Sequence, residues 1–336
     1  MRQDRGVAVV IPSYRVKRHI SNVLDHIGNE VGKIYVVDDK CPEGSGQFVL
    51  DTCHDQRVTV LFHEVNQGVG GAVITGYERA TEEGAVVIVK LDGDGQMDPA
   101  LIPKFVQPIL EGRADYTKGN RFYNIEDVRA MPFLRLIGNA LLSFMTKLSS
   151  GYWDIFDPTN GFTAISARLV PYLPFHKISH RYFFESDMLF RIGTIRACVL
   201  DVPMVALYAD EQSNMQIFRV IPEFFVRNFA NFAKRLVYSY FLRDFSIASL
   251  QFVLGTLFVL FGTVFGTQAW IRSIVTGVTA TAGIIMIAAL PVILGIQFLV
   301  SFAAFDIAAV PRRAIHPLLP AFPPRPGSGL PEDIGA

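Results

Sequence analysis

The chain has 336 residues, of which 50% are hydrophobic, and its 31 basic and 31 acidic side chains give a formal net charge of zero. This hydrophobic content, with a positive mean hydropathy, is high for a soluble protein of this length, so part of the chain is expected to lie in lipid. The neutral charge gives no reason to expect a nucleic-acid partner.

The chain begins with a polar segment, Met1 to Gly6, which runs directly into a strand-like stretch too short for the apolar part of a signal peptide. We therefore expect the N-terminal part to stay in the cytoplasm. From there to residue 210, short apolar runs alternate with helical patterns at 18–28, 69–82 and 99–111. Strands separated by crossover helices predict an α/β fold with a mainly parallel sheet. The apolar runs are, in chain order, "VAVVIPSY", "KIYVVDD", "VTVLFHE", "AVVIVKLD" and "ADYTKGN".

The fourth apolar run ends on two aspartates separated by one glycine, Asp92 and Asp94, in "LDGDGQMDP". Ligands of parallel sheets collect at the carboxyl ends of strands, and carboxylates there suit Mg²⁺ or Mn²⁺, which bridge to diphosphate oxygens. For an isolated D-x-D, a turn rich in Asp and Gly is the commoner explanation. A nucleoside triphosphatase or a dehydrogenase is disfavoured, because G-x-x-x-x-G-K-[ST] is missing and "NQGVGGAV" lacks the dinucleotide-binding spacing.

The motifs in this order resemble glycosyltransferase family 2, and specifically its polyprenyl-phosphate branch of dolichyl-phosphate mannosyltransferases and bactoprenol glucosyltransferases. The resemblance covers about residues 6–215, and the apolar C-terminal region matches the bacterial members. It implies a GT-A catalytic domain over residues 1–215, a nucleotide-sugar donor, and inverting hexosyl transfer to a polyprenyl phosphate. The matching segments are "VVIPSY", "VVDD", "NQGVGGAVITGYERA", "LDGDGQMDP", "GNR", "DPTNGF" and "YADEQSN".

The resemblance implies a role for each residue of the donor site. The nucleoside is expected at Asp38 and Asp39, whose carboxylates can accept from a base N–H or a ribose hydroxyl. Three residues are expected to hold Mg²⁺ or Mn²⁺, of which Asp94 is also expected to be essential for catalysis: Asp92, Asp94 and Gln96. Three others are expected to shape the pocket: Pro12, Tyr14 and Gly70.

A phosphate acceptor changes what the acceptor side must supply. Its oxygen is largely ionised before it arrives, so it needs orientation more than a general base. Glu185 and Asp187, on a predicted helix, are therefore interpreted as orienting groups, although a helix cap or a hydrogen bond to a basic neighbour explains them about as well. The resemblance implies acceptor-phosphate contacts from Arg121 and Arg135. In the helical pattern that contains Arg135, Asn139 and Ser143 fall on the same face.

Two departures from the family pattern bear on the donor. Arg15 and Val16 stand where the family's first turn usually has Asn-Glu, so no role of that pair in holding the nucleotide is carried over to this chain. Asn214 replaces a lysine found in the lipid-phosphate mannosyltransferases, which favours the glucosyltransferase-like bacterial members. The sugar, the nucleotide base and the oligomeric state, including a homo-oligomer, stay open.

The C-terminal third is predicted to associate with the membrane. Residues 216–243 mix aromatic and basic side chains and indicate amphipathic helices on the cytoplasmic leaflet. Residues 244–310 contain two charge-free runs, 246–270 and 273–305, each long enough to span a bilayer, with Arg272 expected in the loop between them. Basic flanks predict that both ends face the cytoplasm, at the cytoplasmic membrane. The Pro-rich tail, 311–336, is expected to be disordered. A buried core helix pair is the alternative to the two spans.

Two other functions are compatible with these motifs. One is glycosyl transfer to a lipid hydroxyl of the diacylglycerol type, which requires a general base. The other is a non-catalytic membrane scaffold that binds a nucleotide sugar without turnover.

Overall fold

The computed structural model describes residues 6–123, 133–205 and 217–320, and for 133–136 and 217–221 it describes the backbone alone. The chain divides into two compact units. One combines the N-terminal part up to Phe229 with the residues from Pro311 onward, and the other is Ala230–Val310.

The first unit is built on one sheet, which in the described residues has seven strands in the order β3-β2-β1-β4-β6-β5-β7. β6 runs antiparallel to β4 and β5, and the other neighbours are parallel, so the expected mainly parallel sheet is confirmed. The strands are β1 (Val7–Ser13), β2 (Lys33–Asp38), β3 (Val58–Phe62), β4 (Val87–Lys90), β5 (Tyr116–Asn120), β6 (Thr163–Ser166) and β7 (Val199–Pro203).

The helices of the first unit connect these strands. The three predicted crossover helices are present as α1, α3 and α4, and a 3₁₀ turn at Pro99–Leu101 leads into α4. The helices are α1 (Ile20–Asp25), α2 (Ser45–Thr52), α3 (Val69–Glu82), α4 (Ile102–Leu110), α5 (Phe133–Ser150), α6 (Phe184–Thr194) and the start of α7 (Ile217–Val237).

The hydrophobic core of this unit lies between the sheet and helices α1 and α4. Val9, Val89 and Phe105 are fully buried there, and the rings of Phe105 and Phe162 stack with their centroids 3.9 Å apart. Because both faces of the central strands are covered, β1, β2 and β4 consist almost entirely of buried apolar residues. This rigid support fixes the carboxyl ends of the strands, where polar residues begin.

The second unit contains two long apolar helices, α8 (Ile247–Thr276) and α9 (Ala282–Ala308), which are long enough to span a membrane. Gly255 and Gly295 lie at their crossing, where a Cβ on either glycine would stand within about 3 Å of the other's carbonyl oxygen. Such close backbone packing is typical of small residues between membrane helices. The expected boundary was wrong: α8 continues through Arg272, and the linking segment is 277–281.

A buried ion pair closes the second unit at the end of α9. Arg235 donates from both terminal nitrogens to Asp306, at 2.6 and 2.9 Å, and the Tyr240 hydroxyl donates to the same carboxylate. All three side chains are buried. The end of α7 is thereby joined to the end of α9 inside this unit.

Part of the tail departs from the disorder expected for it. Residues 315 and 316 dock on the first unit, where the fully buried Asp115 accepts from the backbone N–H groups of Ile315 and His316 at 2.9 and 2.7 Å. His316 Nδ1 and the N–H of Cys198 complete the set, at 2.8 and 2.7 Å. The hydrogen bonds accepted by the buried Asp115 carboxylate explain why this part of the tail is ordered. Composition alone does not reveal that such an acceptor is present elsewhere in the fold. Residues 321–336 lie outside the described part.

Candidate functional site

The site is centred on the two aspartates that follow β4. Asp92 and Asp94 are both partly exposed, and Asp94 Oδ1 accepts from the backbone N–H of Gln96 at 3.0 Å. Gly95 sits between them and Gln96 with a φ of +79°, which glycine adopts without strain. The three expected metal-binding positions therefore share one tight turn at a strand's carboxyl end.

Lys90, the last residue of β4, is a site residue that the sequence reasoning missed. Its ammonium lies 2.9 Å from Asp92 Oδ1 and 3.1 Å from Glu185 Oε1, and the side chain is 1% exposed. Burial by itself lowers the pKa of Lys90, but the charges of Asp92 and Glu185 outweigh it, and the net pKa lies above lysine's ordinary value. The available signal was a lysine at the end of an otherwise apolar strand, two positions before Asp92.

The loop at 157–162, "DPTNGF", touches this centre at one end. A Cβ on Gly161 would collide with Asp92 Oδ2 and with the Lys90 ammonium, so a glycine is required for the loop to approach so closely. The other end of the loop carries Asp157, which is fully buried and holds Arg121. Arg121 Nε donates to Asp157 Oδ2 at 2.7 Å, and Nη2 donates to Oδ1 at 3.1 Å.

A second buried lysine, Lys118, holds the same loop through a hydrogen bond to its backbone. Lys118 lies opposite Thr163 of β6, and Thr163 lies opposite Lys90, so the three residues stand abreast across β5, β6 and β4. The Lys118 ammonium donates to the carbonyl of Asn160 at 2.5 Å. Burial lowers the pKa of Lys118 to about 8. Sequence reasoning missed this residue too, because "YTKGN" alone does not show that the lysine is enclosed.

Asp38 and Asp39, the expected nucleoside ligands, are buried and already bonded within the chain. Asp38 accepts from the N–H groups of Cys41 and Gly46 at 2.7 and 2.6 Å. Asp39 accepts from the N–H groups at positions 67 and 68, both at 2.7 Å, and pairs with His63 at 2.8 Å. The two carboxylates fix the loops after β2 and before α3. Their contact with a nucleoside stays a prediction.

Gly70 and Asp187 both support the segment at 179–181. Gly70 N–H donates to the carbonyl of His180 at 2.8 Å, and a Cβ on Gly70 would collide with Phe184 and the Ser179 carbonyl. Asp187 is buried and accepts from the Ser179 N–H at 2.8 Å. The two carboxylates of α6 thus have different contacts: Glu185 contacts Lys90, whereas Asp187 orients a backbone segment. A direct catalytic role for Asp187 stays a prediction.

The first turn presents an aromatic ring at the edge of the site. Tyr14 is 44% exposed, and the guanidinium of Arg15 lies 5.5 Å from its ring centre. Arg15 has a φ of +61°, and its N–H donates to the Cys41 thiol at 3.1 Å. Pro12 pairs with Val37 inside the sheet. The residues that replace the family's Asn-Glu therefore join the first turn to the loop after β2.

The expected acceptor helix is α5. Ile137, Leu141 and Phe144 lie on one face of it and are each about half exposed. Ser143 donates to the carbonyl of Phe156 at 3.0 Å, and Asn139 is partly exposed. The side chain of Arg135 and the motif "YADEQSN", with Asn214, lie outside the described residues.

The residues at the turn fit a hard divalent cation. Within the described residues, no three His, Cys, Asp or Glu side chains are grouped to hold a metal by themselves. Mg²⁺ usually takes one or two carboxylates and completes its shell with substrate phosphates and water. Asp92 and Asp94 are therefore a suitable donor set for Mg²⁺ or Mn²⁺ that binds together with a diphosphate.

Comparison with known proteins gives consistent matches. A family model described as glycosyl transferase family 2 matches residues 8–172. The UDP-N-acetylglucosamine–dolichyl-phosphate N-acetylglucosaminyltransferase of Methanococcus voltae is 30% identical over 221 residues, covering 62% of this chain and 88% of that protein. The undecaprenyl-phosphate mannosyltransferase of Micrococcus luteus is 28% identical over 203 residues, covering 59% and 82%.

One solved structure supports the fold. Glucosyl-3-phosphoglycerate synthase from Mycobacterium tuberculosis, crystallised with Mn²⁺, uridine diphosphate and phosphoglyceric acid, superposes with a TM-score of 0.52 at 17% identity. The superposition covers 69% of this chain and 78% of that one. The expected GT-A type of α/β fold is confirmed by this likeness.

Proposed function

We propose a specific reaction for this chain, which belongs to glycosyl transferase family 2 and is a glycosyltransferase. The reaction is inverting transfer of a sugar from a nucleotide sugar, a UDP- or GDP-sugar, to a polyprenyl phosphate at the cytoplasmic face of the membrane. The relatives from Methanococcus voltae and Micrococcus luteus are named for transfer to dolichyl phosphate and undecaprenyl phosphate, which supports this acceptor class.

A single observation carries the proposal. The 157–162 loop contacts both the aspartate turn, through Gly161 beside Asp92, and the guanidinium of the partly exposed Arg121, through Asp157. An arginine held in this way suits a phosphate, because its planar guanidinium can pair with two oxygens. A donor diphosphate at Asp92 and an acceptor phosphate at Arg121 would then meet across one loop.

On the donor side, Asp92 and Asp94 would hold a divalent cation, which supplies positive charge to stabilise the departing diphosphate. The first turn, with Tyr14, and the loop fixed by Asp39 would line the nucleoside. Asp38 and Asp39 act chiefly by holding these loops in place, given the hydrogen bonds they already accept.

On the acceptor side, an ionised phosphate oxygen attacks the anomeric carbon while the bond from that carbon to the diphosphate oxygen breaks. The electron pair leaves with the nucleoside diphosphate, and a single displacement inverts the anomeric configuration. Because the attacking oxygen carries no proton near neutral pH, no residue has to remove one. Arg121 and Glu185 would orient the reacting groups, and Arg121 would also offset the acceptor's charge.

The exposed apolar faces of the first unit support a position on the bilayer surface. α7 has an exposed apolar face, formed by Phe225, Val226 and Phe229. On its other side Asn228 is buried and accepts from Ser149 at 2.6 Å. The half-exposed face of α5 is likewise apolar. Such helices favour the interface between headgroups and acyl chains, where a polyprenyl phosphate presents its head.

The docked tail supports one orientation for the two membrane-spanning helices. The chain leaves the first unit at residue 229 and returns to it at residue 311, after two helices that are each long enough to cross a membrane. Two crossings return a chain to the side from which it started. With basic residues on both flanks, that side would be the cytoplasm.

The test is a transfer assay with purified protein, UDP- and GDP-linked sugars, a polyprenyl phosphate and Mg²⁺ or Mn²⁺. We expect a polyprenyl-phosphate sugar from at least one donor, and the anomeric configuration of the product should be inverted. Transfer to diacylglycerol with a pH profile that requires a base would instead favour the hydroxyl-acceptor alternative. Binding of nucleotide sugar without product formation would favour the scaffold.

A further inference from the structure

Lys90 is placed between two carboxylates that belong to distant parts of the chain. Its ammonium contacts Asp92 Oδ1 at 2.9 Å and Glu185 Oε1 at 3.1 Å. Asp92 lies in the turn after β4, and Glu185 lies in the first turn of α6, 95 positions after Lys90. An ammonium is a compact charge with several donors, so one group can serve both acceptors.

We propose that Lys90 is a built-in cation that positions Asp92 and keeps the space between Asp92 and Glu185 closed to a second metal ion. This inference rests on the proposed function, in which Asp92 and Asp94 receive a divalent cation with the donor diphosphate. Lys90 is a positioning residue and acts through Asp92.

The position of Lys90 is fixed by the sheet. It lies opposite Val10 of β1 and opposite Thr163 of β6, so its backbone is held from both sides. The side chain is almost fully buried, and Gly161 leaves no room beside the ammonium. A group held by packing on all sides is oriented before its ligand arrives, which spares the cost of ordering it during binding.

The negative charges of Asp92 and Glu185 explain why a cation is needed in the space between them. Without Lys90, Asp92 and Glu185 would face each other in a partly buried place, where like charges repel. Oxygen ligands of this kind attract Mg²⁺ or Mn²⁺. Two-metal centres hold their ions about 3.5 to 4 Å apart, so a second cation between Asp92 and Glu185 could share Asp92 with the one held by Asp92 and Asp94. The lysine therefore restricts the site to one metal.

The decisive variant is Lys90→Met, which keeps the stem and removes the charge. Binding of Mn²⁺ in the presence of UDP is measured by calorimetry and by electron paramagnetic resonance, without any transfer. We expect one Mn²⁺ per wild-type chain and two per Lys90→Met chain, with the first site weakened about tenfold, as is common when a residue supporting a metal ligand is lost. The second site should disappear in Lys90→Met/Glu185→Gln.

Lys118→Met is the matched control, because it removes a buried lysine from the same row of the sheet without touching Asp92. It should keep one Mn²⁺ per chain. Lys90→Arg retains the positive charge and should also keep one Mn²⁺, with part of the Mn²⁺ affinity restored.

Glu185→Gln provides an independent measurement if Lys90→Met does not fold. It removes a negative charge that balances the ammonium, and the excess positive charge beside Asp92 should lower Mn²⁺ affinity several-fold while the stoichiometry stays at one. Wild-type Mn²⁺ affinity in Glu185→Gln, or a single Mn²⁺ site of wild-type affinity in folded Lys90→Met, would overturn the inference. The proposed function is tested by a different result: it would be wrong if a chain that binds one Mn²⁺ with UDP transfers no sugar to polyprenyl phosphate.

Discussion

Arg121 and Asp157 form a two-pronged ion pair at the end of β5. Nε and Nη2 of the arginine lie 2.7 and 3.1 Å from the two carboxylate oxygens, and the backbone N–H of Arg121 adds a contact at 3.3 Å. Asp157 is fully buried, whereas the Arg121 side chain is 28% exposed. The buried carboxylate needs this cation, so the pair fixes the plane of a guanidinium that still reaches the surface.

The first prediction concerns Arg121. Arg121→Ala should raise the KM for polyprenyl phosphate by about 10- to 100-fold, since a hydrogen bond to a charged group contributes about 1.5–3 kcal/mol. Arg121→Lys should recover only part of this, because an ammonium lacks the paired geometry. Initial rates against lipid concentration, with donor affinity from calorimetry, measure both effects. Loss of donor binding in Arg121→Ala would reassign the arginine to the diphosphate.

A second prediction concerns Arg135, in the apolar-faced helix α5. Arg135→Ala should weaken use of polyprenyl phosphate while donor binding survives, if this arginine meets the same phosphate, and Lys should rescue it in part. Lys147→Ala is a suitable control from the same helix, since Lys147 stacks over Phe156. Acceptor kinetics that match the wild type would remove α5 from the phosphate site.

The third prediction concerns the metal. Asp94→Ala should abolish transfer and leave the fold intact, because loss of a cation ligand leaves the diphosphate's charge uncompensated. The transition state should then lose stabilisation on the order of several kcal/mol. A chelator should have the same effect on the wild-type protein. Activity is followed with and without added Mn²⁺, and circular dichroism checks the fold. Transfer by the wild type in chelator would argue against a metal-dependent mechanism.

The fourth prediction concerns topology. A reporter placed in 277–281, the segment between α8 and α9, should be external, and one fused after residue 336 should be cytoplasmic. An internal insertion near residue 313 is unsuitable, because Ile315 and His316 dock on Asp115. Protease accessibility in sealed vesicles reads both positions. If both reporters fall on one side, at least one of the helices does not cross.

The fifth prediction concerns pH and stability. Burial raises the pKa of Asp201 to about 6, above the ordinary value of about 4. The folded protein thus favours protonated Asp201, and its contribution to stability is present below pH 4 and lost as the pH rises through 6. Asp201→Asn mimics the protonated form, so it should unfold like the wild type near pH 4 and be more stable at pH 8, by about 1–3 kcal/mol.

Denaturant unfolding of the detergent-solubilised protein across this range measures the difference. Asp55→Asn is a control of opposite sign, because the hydrogen bond from Arg57 lowers the pKa of Asp55. Its loss should destabilise the protein at neutral pH and matter less as the pH falls. A constant difference between Asp201→Asn and the wild type from pH 4 to 8 would contradict the assignment.

The sequence by itself determined the features that depend on neighbouring residues. Hydrophobic periodicity located the first five strands, the crossover helices and the two apolar C-terminal helices, and Asp92 and Asp94 were found because a D-x-D turn is a local motif. Local pattern suffices there, since a strand or helix is specified mainly by the residues within it. The boundary at Arg272 was missed, because a single charge does not end a long helix.

Only the tertiary structure decided which distant side chains meet. Lys90 reaches Glu185 across 95 positions, Arg121 reaches Asp157 across 36, and Asp115 holds His316 across 201. The contact of Arg121 with Asp157 depends on β6, which inserts antiparallel between β4 and β5 and brings the 157–162 loop to both strand ends. Strand order follows from the packing of the whole sheet. Local sequence reveals the motifs that carry these charges, but it does not reveal which charges pair across the sheet.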